Sequence, residues 1–91
     1  MAKSKILEKT KLADDRGAIW ELGYYVQIFD DGVGDTFYGI KIEKTGTGNS
    51  ISEETCGLTY SYQQVECWVR KLASGTVMPS SLHDIVDDFV G

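Results

Sequence analysis

Residues 18–29 constrain the fold more than any other stretch, because Trp20, Leu22, Tyr24, Val26 and Ile28 recur at every second position. Period two marks a β-strand with one face on a core. The intervening positions, Ile19, Glu21, Gly23, Tyr25, Gln27 and Phe29, are unusually apolar for a face turned to water. Gly23 there marks a bulge or a bend. A strand of this kind needs partners along its edges and a layer packed on at least one face.

The flanking sequence supplies the partners. Residues 4–12 read as an edge strand of poor alternation, with Ile6, Glu8, Thr10 and Leu12 facing one way and Leu7, Lys9 and Lys11 the other. Asp14-Asp15-Arg16-Gly17 is a turn, since Asp bonds its own backbone and Gly accepts positive φ. After the hairpin loop Asp30–Asp35, residues 36–44 return as a strand with Tyr38, Ile40 and Ile42 toward the core and Phe37, Gly39, Lys41 and Glu43 outward. Thr45-Gly46-Thr47-Gly48-Asn49 is another turn, followed by a short strand around Ser50-Ile51-Ser52. Residues 53–60 have no clear period.

The covering layer is helical. Ser61 is an N-cap and Gln64 completes a capping box, with Tyr60 and Val65 placed for a hydrophobic staple. Tyr62, Val65, Val69 and Leu72 line one stripe, with Trp68 beside it, and Gly75 stands where a left-handed stop is needed. Pro79 opens a second helix, in which Leu82, Ile85, Val86, Phe89 and Val90 follow the i, i+3, i+4, i+7, i+8 pattern. The expected fold class is α+β: one domain over residues 1–91, an antiparallel β-meander of three to four strands followed by two amphipathic α-helices.

Charge narrows the partners. The net charge is −5, but residues 1–11 carry four lysines against one glutamate, whereas the rest hold five basic and thirteen acidic side chains. An acidic body opposes the electrostatic attraction that dominates nucleic-acid binding, so nucleic acid is not the expected partner. Lys3, Lys5, Lys9 and Lys11 remain as a basic arm that touches phosphate, or as lysines that keep an edge strand unpaired. No stretch reaches the roughly 20 apolar residues of a membrane span, and no leader is evident. The two cysteines, Cys56 and Cys67, make no disulfide framework. The expected location is cytoplasmic, with both thiols reduced and Cys67 as a small buried or half-buried helix residue.

Reactive groups are few. His83, the only histidine, has Asp87 one helical turn on as a possible orienting carboxylate, but no nucleophile is marked to join them. Asp30, Asp31 and Asp35 lack the alternate spacing of a calcium loop and suit a hairpin turn. Gly32-Val33-Gly34 is followed by a strand where a phosphate cradle needs a helix. Asp84, Asp87 and Asp88 read as a solvated helix face. One histidine and two distant cysteines do not complete a zinc set. No catalytic residue, metal or cofactor is expected, and the chain is not expected to be an enzyme.

Two segments, Tyr38-Gly39-Ile40-Lys41-Ile42-Glu43 and Pro79 through Leu82 with Asp84-Ile85-Val86-Asp87-Asp88-Phe89, resemble a family of short bacterial proteins catalogued only as a domain of unknown function. The likeness spans about residues 36–90 and centres on a terminal Pro-x-x-Leu-x-Asp-(Val/Ile)-Val-x-Asp-Phe helix. Where the family pattern places a His before the Leu, this chain has Ser81, and His83 follows Leu82. The resemblance implies the strand–strand–helix–helix order and implies no activity.

What stands out is the second face of the sheet. With the helices over Trp20, Leu22, Tyr24, Val26 and Ile28, the residues Ile19, Tyr25, Phe29 and Phe37 are left opposite. Exposed, they form an interface for a protein partner or a homodimer, since apolar patches rich in tyrosine mark such surfaces. Otherwise the helices divide between the two faces, or sheet twist and the N-terminal segment cover the patch. The expected function is a non-enzymatic interaction or accessory domain; the other readings are a small-ligand or enzymatic domain around His83 and a nucleic-acid regulator using the basic arm.

Overall fold

A computed structural model describes residues 3–46 and 48–90, the side chain of Val90 excepted. Four strands, β1 (Lys3–Ala13), β2 (Ile19–Asp30), β3 (Thr36–Gly46) and β4 (Asn49–Glu54), precede helix α1 (Tyr62–Ser74), a 3₁₀ turn (Pro79–Ser81) and helix α2 (Leu82–Val90). The sheet order is β1-β2-β3-β4, with every neighbouring pair antiparallel. The α+β meander followed by two helices is therefore the fold. Thr47 of the second turn and the Val90 side chain on the apolar stripe lie outside the described residues.

The alternation of β2 places Leu22, Tyr24 and Val26 under the helices beside Ile40 and Ile42 of β3, all fully buried. Val65, Trp68, Val69 and Leu72 of α1, with Leu82 and Val86 of α2, close the core above them. Trp68 also stacks on Phe89, ring centroids 5.5 Å apart. Tyr24, buried whole, donates its hydroxyl to the Val77 carbonyl at 3.0 Å, and its burial holds the phenol above its ordinary pKa.

Two local expectations are corrected. The uneven pattern of β1 reflects a bulge: the register shifts between Ile6, opposite Tyr25, and Glu8, opposite Tyr24. Partners directly opposite share a face, so Ile6 lies on the helix-free side, while Glu8, Thr10 and Leu12 lie under the helices. Gly23 is not the bulge, since its pairing with both neighbours is continuous. It makes room for the Tyr25 ring, whose Cε1 lies 2.8 Å from where a glycine side chain would begin.

The ends of α1 are fixed by specific bonds. Ser61 Oγ accepts the Gln64 N–H at 3.2 Å. The reciprocal half of the box runs through Thr59, whose Oγ1 accepts the Ser61 N–H and donates to Gln64 Oε1. Tyr60 serves no staple: it stands exposed against Phe37, while Val65 is fully buried. At the C-terminus Val77 N–H reaches the Leu72 carbonyl and Thr76 N–H the Ala73 carbonyl, a Schellman pair. The left-handed residue is thus Thr76 at φ 50°, not Gly75 at φ −88°. A β-branched residue is strained in that conformation, at roughly 1–2 kcal/mol. Thr76→Gly is therefore expected to raise stability by about 1 kcal/mol in urea denaturation.

Candidate interaction face

Both helices lie on one side of the sheet, because Tyr24, Val26, Ile40 and Ile42 on that side form one cluster with Val65, Leu72, Leu82 and Val86. Among the described residues the opposite side carries no helix. It holds Ile19, Tyr25 and Phe29 of β2 and Phe37 of β3, joined by Ile6 of β1. The helices do not divide between the faces.

The four expected residues share the face without forming one patch. Phe29 and Phe37 are direct cross-strand partners, stacked with centroids 5.3 Å apart and planes 17° from parallel. Tyr60 leans on Phe37 at 5.8 Å and is 68% exposed, so the chain ends this side of the sheet with three clustered rings. Tyr25 stands two positions away, beyond Gln27, between Ile6 and Lys41. Its ring lies 5.6 Å from Lys41 Nζ, a cation–π contact. Burial is the first cause raising its hydroxyl pKa, with the Glu43 carboxylate second. Ile19 is isolated at the far end, 57% exposed opposite Ala13. Tyr25, Phe29 and Phe37 are only half-exposed.

Polar groups fill the intervals. Lys41 pairs loosely with Glu43 at 4.0 Å, and Lys9 with Glu21 at 3.3 Å. Gln27, buried, donates to Glu54. Thr55, also buried, ties the chain beyond β4 back to β3: its N–H donates to the Ile40 carbonyl and its Oγ1 accepts the Ile40 N–H. Thr55 to Tyr60 consequently folds over this end of the face, with Gly57 against the Phe37 ring. Sequence reasoning missed Tyr60 and Ile6 as members of the face. A bulge hid Ile6, and a lack of period in residues 53–60 hid Tyr60.

The remaining candidates lie elsewhere. His83 Nε2 is 3.3 Å from Glu53 of β4, on the helix side, rather than paired with Asp87. Asp30 and Asp31 accept the backbone N–H groups of Gly32, Val33 and Asp35, so these carboxylates hold the hairpin. Asp14 does the same for Arg16 and Ala18 and also accepts Trp20 Nε1–H; the Trp20 bond, then the backbone bonds, hold its carboxyl below the usual pKa. Cys56 and Cys67 are free and exposed, so Cys67 is not a buried helix residue. Among the described residues no three His, Cys, Asp or Glu side chains converge as metal ligands. The basic arm is strand β1, where Lys5 donates to the Tyr62 hydroxyl and Lys9 meets Glu21. No helix among the described residues is long and apolar enough to cross a membrane.

Compared with known families, residues 3–91 match the model of a family of unknown function, DUF6514. The match takes in β1 and β2 as well as the later segments that carry the sequence resemblance. No curated protein and no solved structure matches the chain.

Proposed function

The chain belongs to DUF6514, a family of unknown function, and from that premise we propose that it is a non-enzymatic interaction domain that self-associates through the helix-free face of its sheet. The observation that carries the reading is the one-sided packing: α1 and α2 cover the same face, and the face that the described residues leave without a helix bears Tyr25, the Phe29–Phe37 pair and the outstanding Tyr60. Tyrosine is favoured at interfaces because it brings apolar area and a polar tip.

The face also suits a second copy. It extends about 40 Å along β2 and about 15 Å across three strands, roughly 600 Å² per copy, in the range of small specific interfaces. Lys41 beside Glu43 and Lys9 beside Glu21 bring both signs onto the face, so a two-fold axis running between the members of a pair would set each charge opposite its complement. Two such sheets would pack as an aligned sandwich. The non-enzymatic part of the reading is supported by the dispersal of the reactive groups, with His83 on the helix side and both thiols on separate exposed positions.

Sedimentation equilibrium tests the reading. The wild-type chain is expected to associate at micromolar concentration, and Tyr25→Ser with Tyr60→Ser to weaken association by at least about tenfold, the loss of one modest hot spot. These residues are chosen over Phe29 because replacing a ring stacked on Phe37 would disturb the fold. A doubly substituted protein that associates like wild type would overturn the assignment.

A further inference from the structure

The two edges of the sheet are built in opposite ways. Strand β1 is closed to further pairing: it carries the bulge between Ile6 and Glu8 and the lysines Lys3, Lys5, Lys9 and Lys11, devices that keep edges from accepting another strand. Strand β4 has neither. Its pairing with β3 runs unbroken from Asn49 to Glu54, all six residues are exposed, and it contains no Lys or Pro. At its centre Ile51 is 54% exposed, with its side chain on the helix side beside Lys44.

We infer that the β4 edge pairs antiparallel with β4 of a second copy, in the register that sets Ile51 opposite its own counterpart. Backbone direction permits this register. Ile40 bonds Thr55 and Tyr38 bonds Thr59, so by the alternation of antiparallel ladders Ile42, Lys44 and Gly46 also turn their N–H and C=O groups toward β4. Their partners Glu53, Ile51 and Asn49 bond inward, which leaves Ser50 and Ser52 with outward N–H and C=O groups. In the Ile51-centred register Ser50 lies opposite Ser52 of the second copy, and the two pairs exchange their bonds. Glu53 then faces Asn49, and the two Glu53 carboxylates stand four residues apart, about 13 Å, beyond one Debye length in physiological salt. The exposed isoleucines cover each other, as apolar cross-strand pairs do.

The blocked β1 edge limits edge-to-edge pairing to two chains, giving a continuous eight-stranded sheet rather than a fibre. This contact lies along the sheet edge and goes beyond the association proposed for the open face. Ile51 points to the helix side, so stacking of two copies through the open faces cannot bring the two isoleucines together.

The test uses the full chain carrying Tyr25→Ser and Tyr60→Ser, so that association through the open face is weakened and the edge contact is read by its dependence on Ile51. It is expected to sediment at twice the chain mass, and Ile51→Lys is expected to weaken that association by at least about tenfold, as a lysine on an edge does. Ile51→Cys, with Cys56→Ser and Cys67→Ser, is expected to form a disulfide-linked dimer on mild oxidation, because non-hydrogen-bonded antiparallel partners have Cα atoms close enough for the bridge. Lys9→Cys in the same background serves as the control and is expected to stay unlinked. A monomer at about 100 μM, a dimer insensitive to Ile51→Lys, or cross-linking no greater than the control would each overturn the inference. Loss of association in Tyr25→Ser, Tyr60→Ser protein alone would sink the edge contact and leave the face contact standing.

Discussion

Leu82→Ala is expected to lower the unfolding free energy by about 3 kcal/mol, because truncating a fully buried leucine removes its transfer energy and leaves a cavity. Leu82 has no exposed surface and opens α2 where the 3₁₀ turn delivers the chain onto the sheet. Pro79 before it is buried, Val86 one turn on is nearly so, and Phe89 stacks on Trp68. A void at Leu82 therefore loosens the one face by which α2 is held. For a domain of 91 residues, whose whole stability is on the order of 5–14 kcal/mol, such a loss moves the thermal midpoint down by at least about 12 °C. Ile85→Ala, at a half-buried position of the same helix, is expected to cost about 1 kcal/mol. Urea titrations of both variants check the ratio, and equal losses would mean that α2 is not seated through Leu82. The positions on which the sequence resemblance rests thus divide by packing: Pro79, Leu82, Val86 and Phe89 turn inward, whereas Asp84, Asp87 and Asp88 are exposed.

How much of this was legible depends on whether a residue's placement is decided by its neighbours in sequence. The two-residue period of β2 and the helical period of α2 report burial directly, so both elements and their core faces follow from Leu22 to Ile28 and from Leu82 to Phe89, whereas Trp20, on the same face, is half-buried beside Asp14 and Lys44 outside the core. A single bulge defeats that logic, since it inverts every side chain beyond it; a strict period sets Ile6 beside Glu8, although the two face opposite ways. Glycine, the usual left-handed residue, points to a helix stop one residue early, while the two Schellman bonds select Thr76. The candidate face was legible as four residues on one side of a sheet. Its end cluster was not, because Tyr60 is carried there by hydrogen bonds between residues fifteen or more positions apart.

Gly39→Ala tests that crossing and is expected to cost about 2 kcal/mol, the effect of forcing one methyl into filled space. A side-chain carbon at Gly39 would stand 2.6 Å from the Cys56 carbonyl oxygen, 2.7 Å from Thr55 Oγ1 and 3.2 Å from the Phe29 ring. Two of these three are held in place: Thr55 Oγ1 accepts the buried Ile40 N–H at 2.9 Å and donates to the Cys56 carbonyl at 2.8 Å. The segment must move away, and doing so strips the Ile40 amide of its partner, a loss of about 1–3 kcal/mol for a buried donor. The gain from restricting the unfolded chain, roughly 0.4–1 kcal/mol, offsets only part of this. Thr55→Val, which keeps the shape and removes the hydroxyl, is expected to reproduce the loss at Ile40 without the clash. Amide exchange separates the two effects: in both variants the Ile40 N–H should exchange faster while Val26 on the neighbouring strand keeps its protection. Only Gly39→Ala should also shift the resonances of Phe29 and Tyr60, since it alone displaces the crossing chain. If Gly39→Ala proves neutral, the Thr55–Tyr60 segment is not anchored on β3, and Tyr60 has no fixed place on the open face.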